Sequence, residues 1–144
     1  MEKGCVVFGI FDFGGESSTE IILVHDKDKP SPKMYKSPGG RLEPGETEEE
    51  AFHREITEEL GKKIGSGIMG INLVFEKEKE NHFVKFFSVK TSGVNAKDIE
   101  LGEEIDEVIS CSPDKIEELM TNGHILPLHG EAIQEYLEKC AVPF

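Results

Sequence analysis

The 144-residue sequence predicts an α/β (α+β) fold, a mixed β-sheet with helices packed on its faces. Three observations carry that prediction. Short runs rich in Val, Ile and Phe stand on both sides of one acidic amphipathic helix, two further helix starts follow in the last third, and the connecting segments are polar. The length suits one domain over 1–144, and the chain shows no internal repeats, low-complexity tracts or linkers.

Gly4 to Phe13 reads as a buried strand, Gly14 to Ser18 as a turn, and Glu20 to His25 as a second strand that pairs with the first as a hairpin. Asp26 to Pro32, charged and with two prolines, predicts an exposed loop. A short extended piece at Met34-Tyr35-Lys36 then leads into Ser37-Pro38-Gly39-Gly40. Thr47 to Leu60 is the clearest helix. Thr47 and Glu50 form a capping box, Glu48 and Glu49 sit at the positive end of the dipole, and Gly61 ends the run. Ile71–Phe75 and His82–Lys90 predict strands joined by a turn over Glu76–Asn81. Thr91–Glu104 is polar and precedes a strand at Ile105–Cys111. Ser112 caps a helix with Pro113 at its first position, running to Met120, and a last helix spans about His129–Cys140.

The bulk composition excludes several classes. The longest apolar run, Ile21 to Val24, is far too short for a membrane span, and no export signal follows Met1, so a cytoplasmic protein is expected. Cys5, Cys111 and Cys140 are too sparse for a zinc site or disulfide framework. His124 and His129 stand without a third ligand nearby and read as surface or packing histidines. A net charge of -13 repels nucleic-acid backbones and anionic membranes, but tolerates small phosphate compounds if cations mediate the contact.

On the Thr47–Gly61 helix, Phe52, Ile56 and Leu60 form an apolar stripe at four-residue spacing. Glu55, Glu58 and Glu59 cluster on the neighbouring face, with Glu48 on the same side, and Ala51 leaves room beside them. Such oxygen density suits a hard cation, Mg²⁺ or Mn²⁺, able to neutralise a diphosphate and activate water. Taken alone, an acidic helix face is more often a solvated surface, and Arg54 a routine surface ion pair.

The longer string changes that balance. Gly40, Glu46, Arg54, Glu55, Ile56, Glu58, Glu59 and Gly61 stand at the spacing G-x5-E-x7-R-E-U-x-E-E-x-G-U, in which U is a bulky aliphatic residue. This stretch resembles the signature box of the Nudix hydrolases, with Pro38-Gly39 as the usual entry. Lys62 occupies the last aliphatic position, and Ile64 is the substitute in packing. The resemblance implies a Nudix-type α/β/α sandwich and a hydrolase of nucleoside diphosphates linked to another moiety. It implies that Glu55, Glu58 and Glu59 bind the metal with the Gly39 carbonyl, that Arg54 orients a glutamate, and that Glu46 supports loop and helix. Among similar proteins a downstream acidic residue joins the site. Glu100, Glu103, Glu104 and Glu107 compete here, with Glu103 as the preferred ligand and Glu104 as the alternative base to Glu58 or Glu55.

The box specifies diphosphate and metal, not the rest of the substrate. Phe11, Phe13, Tyr35, Phe83 and Phe87 could stack on a base, although strand aromatics are more often core. Gly61 to Lys90 contains neither Pro nor Tyr, which disfavours two subfamilies that carry one there and leaves an ordinary or modified nucleoside triphosphate as the leading substrate class. The expected partner is thus a small nucleotide derivative, with no stable nucleic-acid complex and no membrane; a homodimer is compatible with the resemblance. A non-catalytic nucleotide-binding module would show a degraded box, and this one is intact at every charged position. An isoprenoid-diphosphate isomerase would need extra acid and base residues outside the box, typically a cysteine and a glutamate, and Cys5 and Cys111 lack a context for that role.

Overall fold

In the computed structural model, residues 3–14, 18–29 and 32–140 are described. The chain order is β1 (Gly4–Ile10), β2 (Ile21–Asp26), β3 (Gly39–Arg41), α1 (Glu48–Leu60), α2 (Lys62–Ser66), β4 (Ile68–Glu78), β5 (His82–Thr91), a 3₁₀ turn (Ala96–Asp98), β6 (Ile105–Cys111), α3 (Pro113–Thr121) and α4 (Pro127–Cys140). The predicted turn at Gly14–Ser18 and loop at Asp26–Pro32 lie partly outside the described residues.

Two sheets form the middle of the molecule. One has the order β3-β1-β5-β4, with β1 parallel to β5 and the other pairs antiparallel; the second pairs β2 with β6 antiparallel. This corrects the predicted β1–β2 hairpin. The two strands lie in different sheets; their backbones are joined just past the end of β1, at a bridge between Asp12 and Ile21, while their side chains share the cores. A strand buried on both faces carries no periodic signal for its partner, so neighbours in sequence were a poor guide to neighbours in space.

Two apolar cores flank the sheets. Val7, Phe11, Ile22, Val24, Phe87 and Ile105 pack with Ala51, Phe52, Ile56 and Leu60 of α1 and Ile64 of α2. Phe8, Ile10, Leu23, Phe86 and Cys111 pack with Ile116 and Leu119 of α3 and Ala132 and Ile133 of α4. Helices on both sides of the sheet layer make the α/β/α sandwich. Each fully buried Phe, Ile or Leu contributes about 1.5–3 kcal/mol, which is why α1 sits rigidly on the sheet. Among the described residues, no helix is long and apolar enough to cross a membrane.

Several boundaries shift. β1 ends at Ile10, not Phe13, and α4 starts at Pro127, two residues before the predicted start. β4 runs through Glu76–Glu78, where the charges suggested a turn; that end of the strand is exposed on both faces, so polar residues cost nothing there. α2 is an extra turn whose Ile64 is fully buried while Lys62 is exposed, so Ile64 fills the apolar role that Lys62 leaves open.

Candidate functional site

α1 begins as its sequence dictates. The Thr47 hydroxyl accepts from the Glu50 N–H at 3.1 Å while the Glu50 carboxylate accepts from the Thr47 N–H at 2.9 Å. Such reciprocal capping stabilises the first turn by about 1 kcal/mol. The helix ends at Gly61, whose φ of 99° favours glycine.

Within the helix, Arg54 is the organising cation. Its Nε donates to Glu46 Oε2 at 2.7 Å and its Nη2 to Glu46 Oε1 at 3.0 Å. Nη1 donates to Glu55 Oε1 at 2.9 Å, and Nη2 also reaches the Arg41 carbonyl at 2.9 Å. Glu46 accepts in addition from the Glu43 N–H at 2.7 Å. The Arg54 guanidinium, followed by that N–H, holds the Glu46 carboxyl down at about 2. Glu46 and Arg54 therefore tie the loop after β3 to the middle of α1 and fix the rotamer of Glu55.

The three box carboxylates occupy different environments. Glu59 is buried at 8% exposure, Glu55 is mostly covered, and the Glu58 side chain is 60% exposed, with Arg54 Nη1 3.6 Å away. Glu59 Oε1 accepts from the Gly39 N–H at 3.3 Å. Burial pushes the Glu59 carboxyl well above the usual range; the charge of Lys36 and the Gly39 N–H pull it back, and Glu55 beside it adds to the rise. Close backbone approach makes this possible. A Cβ on Gly40 would stand 2.5 Å from the Glu55 carboxyl carbon, and one on Gly39 (φ 147°) would stand 2.0 Å from the Val7 carbonyl oxygen.

The acidic loop before β6 docks on the end of α1. The Glu100 N–H donates to the Leu60 carbonyl at 2.8 Å and the Gly102 N–H to the Glu59 carbonyl at 3.1 Å. A Cβ on Gly102 would lie 1.9 Å from the Glu58 carbonyl oxygen, so only glycine allows this seat. The result is a cavity of about 380 Å³ lined by Glu58, Glu59, Gly102, Glu103, Glu104 and Ile105. Of the four downstream acids, Glu103 and Glu104 line it. Glu107 does not: its Oε1 accepts from Lys33 at 2.5 Å and from the Tyr35 hydroxyl at 2.9 Å, on the wall of a different cavity.

Two expectations are corrected. Glu48 does not line the cavity with Glu58 and Glu59; it accepts from Lys85 at 2.7 Å. Ala51 is fully buried and packs in the core with Phe52 and Ile56. Of the aromatics, Phe11 and Phe87 are core residues. Phe83 lies under Lys3, Phe13 stacks on Phe11, and Tyr35 lines the second cavity, of about 610 Å³, with Lys33, Ile109, Cys111, Leu119 and His124.

Lys36 and His129 were missed as parts of this region. Lys36 Nζ sits 5.2 Å above the Phe8 ring and 3.7 Å from Asp26, and its charge acts on Glu59. His129 accepts from the Ser37 N–H. Neither stands in a recognisable spacing, so only the fold could bring them in.

Among the described residues no three carboxyl, imidazole or thiol side chains converge as a ready-made cation cage. Arg54 Nη1 stands 2.9 Å from Glu55 Oε1 and 3.6 Å from Glu58 Oε2. The donor set still fits a hard cation. Magnesium needs only one or two carboxylates besides water and substrate oxygens, and a buried Glu59 next to Glu55 is a pair that a cation would relieve.

Comparison with known proteins agrees with this geometry. The model of the NUDIX domain family matches residues 3–129. The chain is 38% identical over 86 residues, 59% of its length and 54% of the relative's, to a Bacillus subtilis protein named as a candidate 8-oxo-dGTP diphosphatase. It is 35% identical over 71 residues, 48% of its length and 41% of the relative's, to the ADP-ribose pyrophosphatase of Methanocaldococcus jannaschii. The matched stretches thus span about half or less of those relatives. The crystal structure of the MutT protein from Methanosarcina mazei shares the fold, with a TM-score of 0.69 at 19% identity over 99% of each chain. Box, sandwich and family model coincide on the same residues, and the chain belongs to the NUDIX domain family.

Proposed function

We propose that this chain hydrolyses the diphosphate linkage of a nucleoside diphosphate joined to another group, with Mg²⁺ or Mn²⁺ held by the α1 carboxylates. The substrate class we favour is an ordinary or modified nucleoside triphosphate, in keeping with the printed name of the Bacillus relative. The observation that carries the reading is the buried Glu59 beside Glu55, at a cavity that Glu103 and Glu104 complete. A carboxylate buried beside another is costly in its ionised form unless a proton or a cation joins it, and a divalent cation can serve both. A chain of net charge -13 also needs a cation before it can accept a diphosphate.

Glu55, Glu58 and Glu59 with the Gly39 carbonyl would hold the cation, and Glu103 would add a ligand from the loop. Bound there, a divalent cation neutralises diphosphate oxygens and acidifies water. Glu58, exposed at the cavity, is our choice of general base, taking the proton of the attacking water; Glu104, which lines the same cavity from the loop, is the alternative, with Glu55 third. Arg54 orients Glu55, and Glu46 orients Arg54. β6 lines both cavities, Ile105 at one end and Ile109 and Cys111 toward the other, which offers the remainder of the substrate a place beside Tyr35.

The test is a panel of nucleotides, sugar nucleotides and dinucleotides assayed for phosphate or pyrophosphate release with Mg²⁺, Mn²⁺ or excess chelator. Metal-dependent release from at least one compound is expected. Tight nucleotide binding without any turnover would instead support a non-catalytic module.

A further inference from the structure

We propose that His129 is a positioning residue, whose neutral imidazole on α4 holds the Ser37–Gly39 corner and thereby sets the Gly39 peptide against Glu59. The starting point is a buried backbone donor. Ser37 is fully buried, and its N–H donates to His129 Nδ1 at 3.0 Å; its hydroxyl oxygen finds no partner among the described residues. A buried N–H left without an acceptor costs about 1–3 kcal/mol, so the imidazole nitrogen is what allows the chain to take this path.

The ring is locked for the task. It lies 4.4 Å from Phe8 and 4.8 Å from Phe86, centroid to centroid, with its edge or face crossing theirs steeply. It is only 5% exposed, and burial pushes its pKa down to about 3, so it is uncharged at neutral pH. Because Ser37 supplies the proton, Nδ1 must be the bare nitrogen and Nε2 the protonated one.

From Ser37 the chain reaches the carboxylates in two residues. The Gly9 N–H donates to the Pro38 carbonyl at 2.8 Å, and the Gly39 N–H donates to Glu59 Oε1 at 3.3 Å. Gly39 lies so close to β1 that any side chain there would collide with the Val7 carbonyl oxygen. Its peptide is therefore placed by three anchors, β1, α1 and, through His129, the distant helix α4. Leucine at 129 would retain the packing and lose the anchor; asparagine would retain an acceptor close to the position of Nδ1.

The inference rests on the proposed cation site, and the experiment separates the two. Amide exchange at Ser37 and Gly39 is measured on metal-free protein, and Mn²⁺ alone is titrated calorimetrically, for the unmodified chain, His129→Leu and His129→Asn. In His129→Leu, Ser37 exchange should rise about tenfold or more, and Mn²⁺ affinity should fall roughly tenfold. His129→Asn should restore most of both. Equal behaviour of the two variants, whether both intact or both impaired, overturns the proposal, since packing alone would then account for the histidine. If His129→Leu does not fold, His129→Asn decides: weakened Mn²⁺ binding with Ser37 still protected overturns it. Absence of Mn²⁺ binding by the unmodified chain would sink the proposed function, while the exchange data would still report whether His129 holds the corner.

Discussion

Arg54 grips Glu46 with two nitrogens of its fork, at 2.7 and 3.0 Å, and has a third left for Glu55. Lysine, a compact ammonium without the planar fork, cannot span both carboxylates in this geometry. Arg54→Lys should therefore keep the net charge and lose the orientation of Glu55. Turnover is expected to fall roughly 10- to 100-fold with a smaller change in KM, read by steady-state kinetics on the best substrate of the panel. An unchanged kcat would show that Glu55 needs no such support.

The same pair sets an acid limit. Glu46 has a folded pKa near 2, below its ordinary 4.5, so the pair stabilises the fold fully above about 4.5 and loses that contribution as pH falls toward 2. Unmodified protein should be more stable than Glu46→Gln near neutrality, and the two melting curves should converge in acid. A constant gap across that range would contradict the assignment.

Glu58→Gln should lower turnover by at least about 100-fold, the scale of general-base catalysis. Its side chain is 60% exposed, so the melting temperature should barely move. Full activity in this variant would remove Glu58 as the base.

Glu59 has the opposite sign. Its folded pKa is raised by burial, so without metal its contribution to stability is greatest at low pH and falls as pH rises above the ordinary 4.5 toward the raised value. A cation bound there, as proposed, would replace the proton. Mn²⁺ should bind more weakly as pH falls and should release protons on binding, which calorimetry in buffers of different ionisation heat detects. Affinity without pH dependence or proton release would place the cation elsewhere.

The acidic loop offers a sharp contrast. Glu104→Gln should reduce turnover, whereas Glu107→Gln should leave the chemical step alone, because Glu107 is occupied by Lys33 and Tyr35. Gly102→Ala should combine lower activity with a stability loss of about 1–3 kcal/mol, because its methyl would meet the Glu58 carbonyl oxygen. Normal behaviour of Gly102→Ala would show that the loop can shift at no cost.

The sequence by itself determined what local spacing can encode. Capping by Thr47, the stop at Gly61, the buried stripe of Phe52, Ile56 and Leu60, and the succession from Gly40 to the three glutamates all lie within one helix and its entry, where geometry follows from 3.6 residues per turn. The tertiary structure alone decided how distant segments meet. β1 pairs with β5 and not with β2, Ala51 faces the core, Glu48 goes to Lys85, Glu103 and Glu104 reach the cavity while Glu107 does not, and His129 comes to Ser37. Those contacts depend on sheet order and on close approaches at Gly39, Gly40 and Gly102, which are long-range properties of the packed chain. Helical periodicity could place three carboxylates on neighbouring faces; only packing against the sheet and the Gly102 loop could bury Glu59 and leave Glu58 exposed.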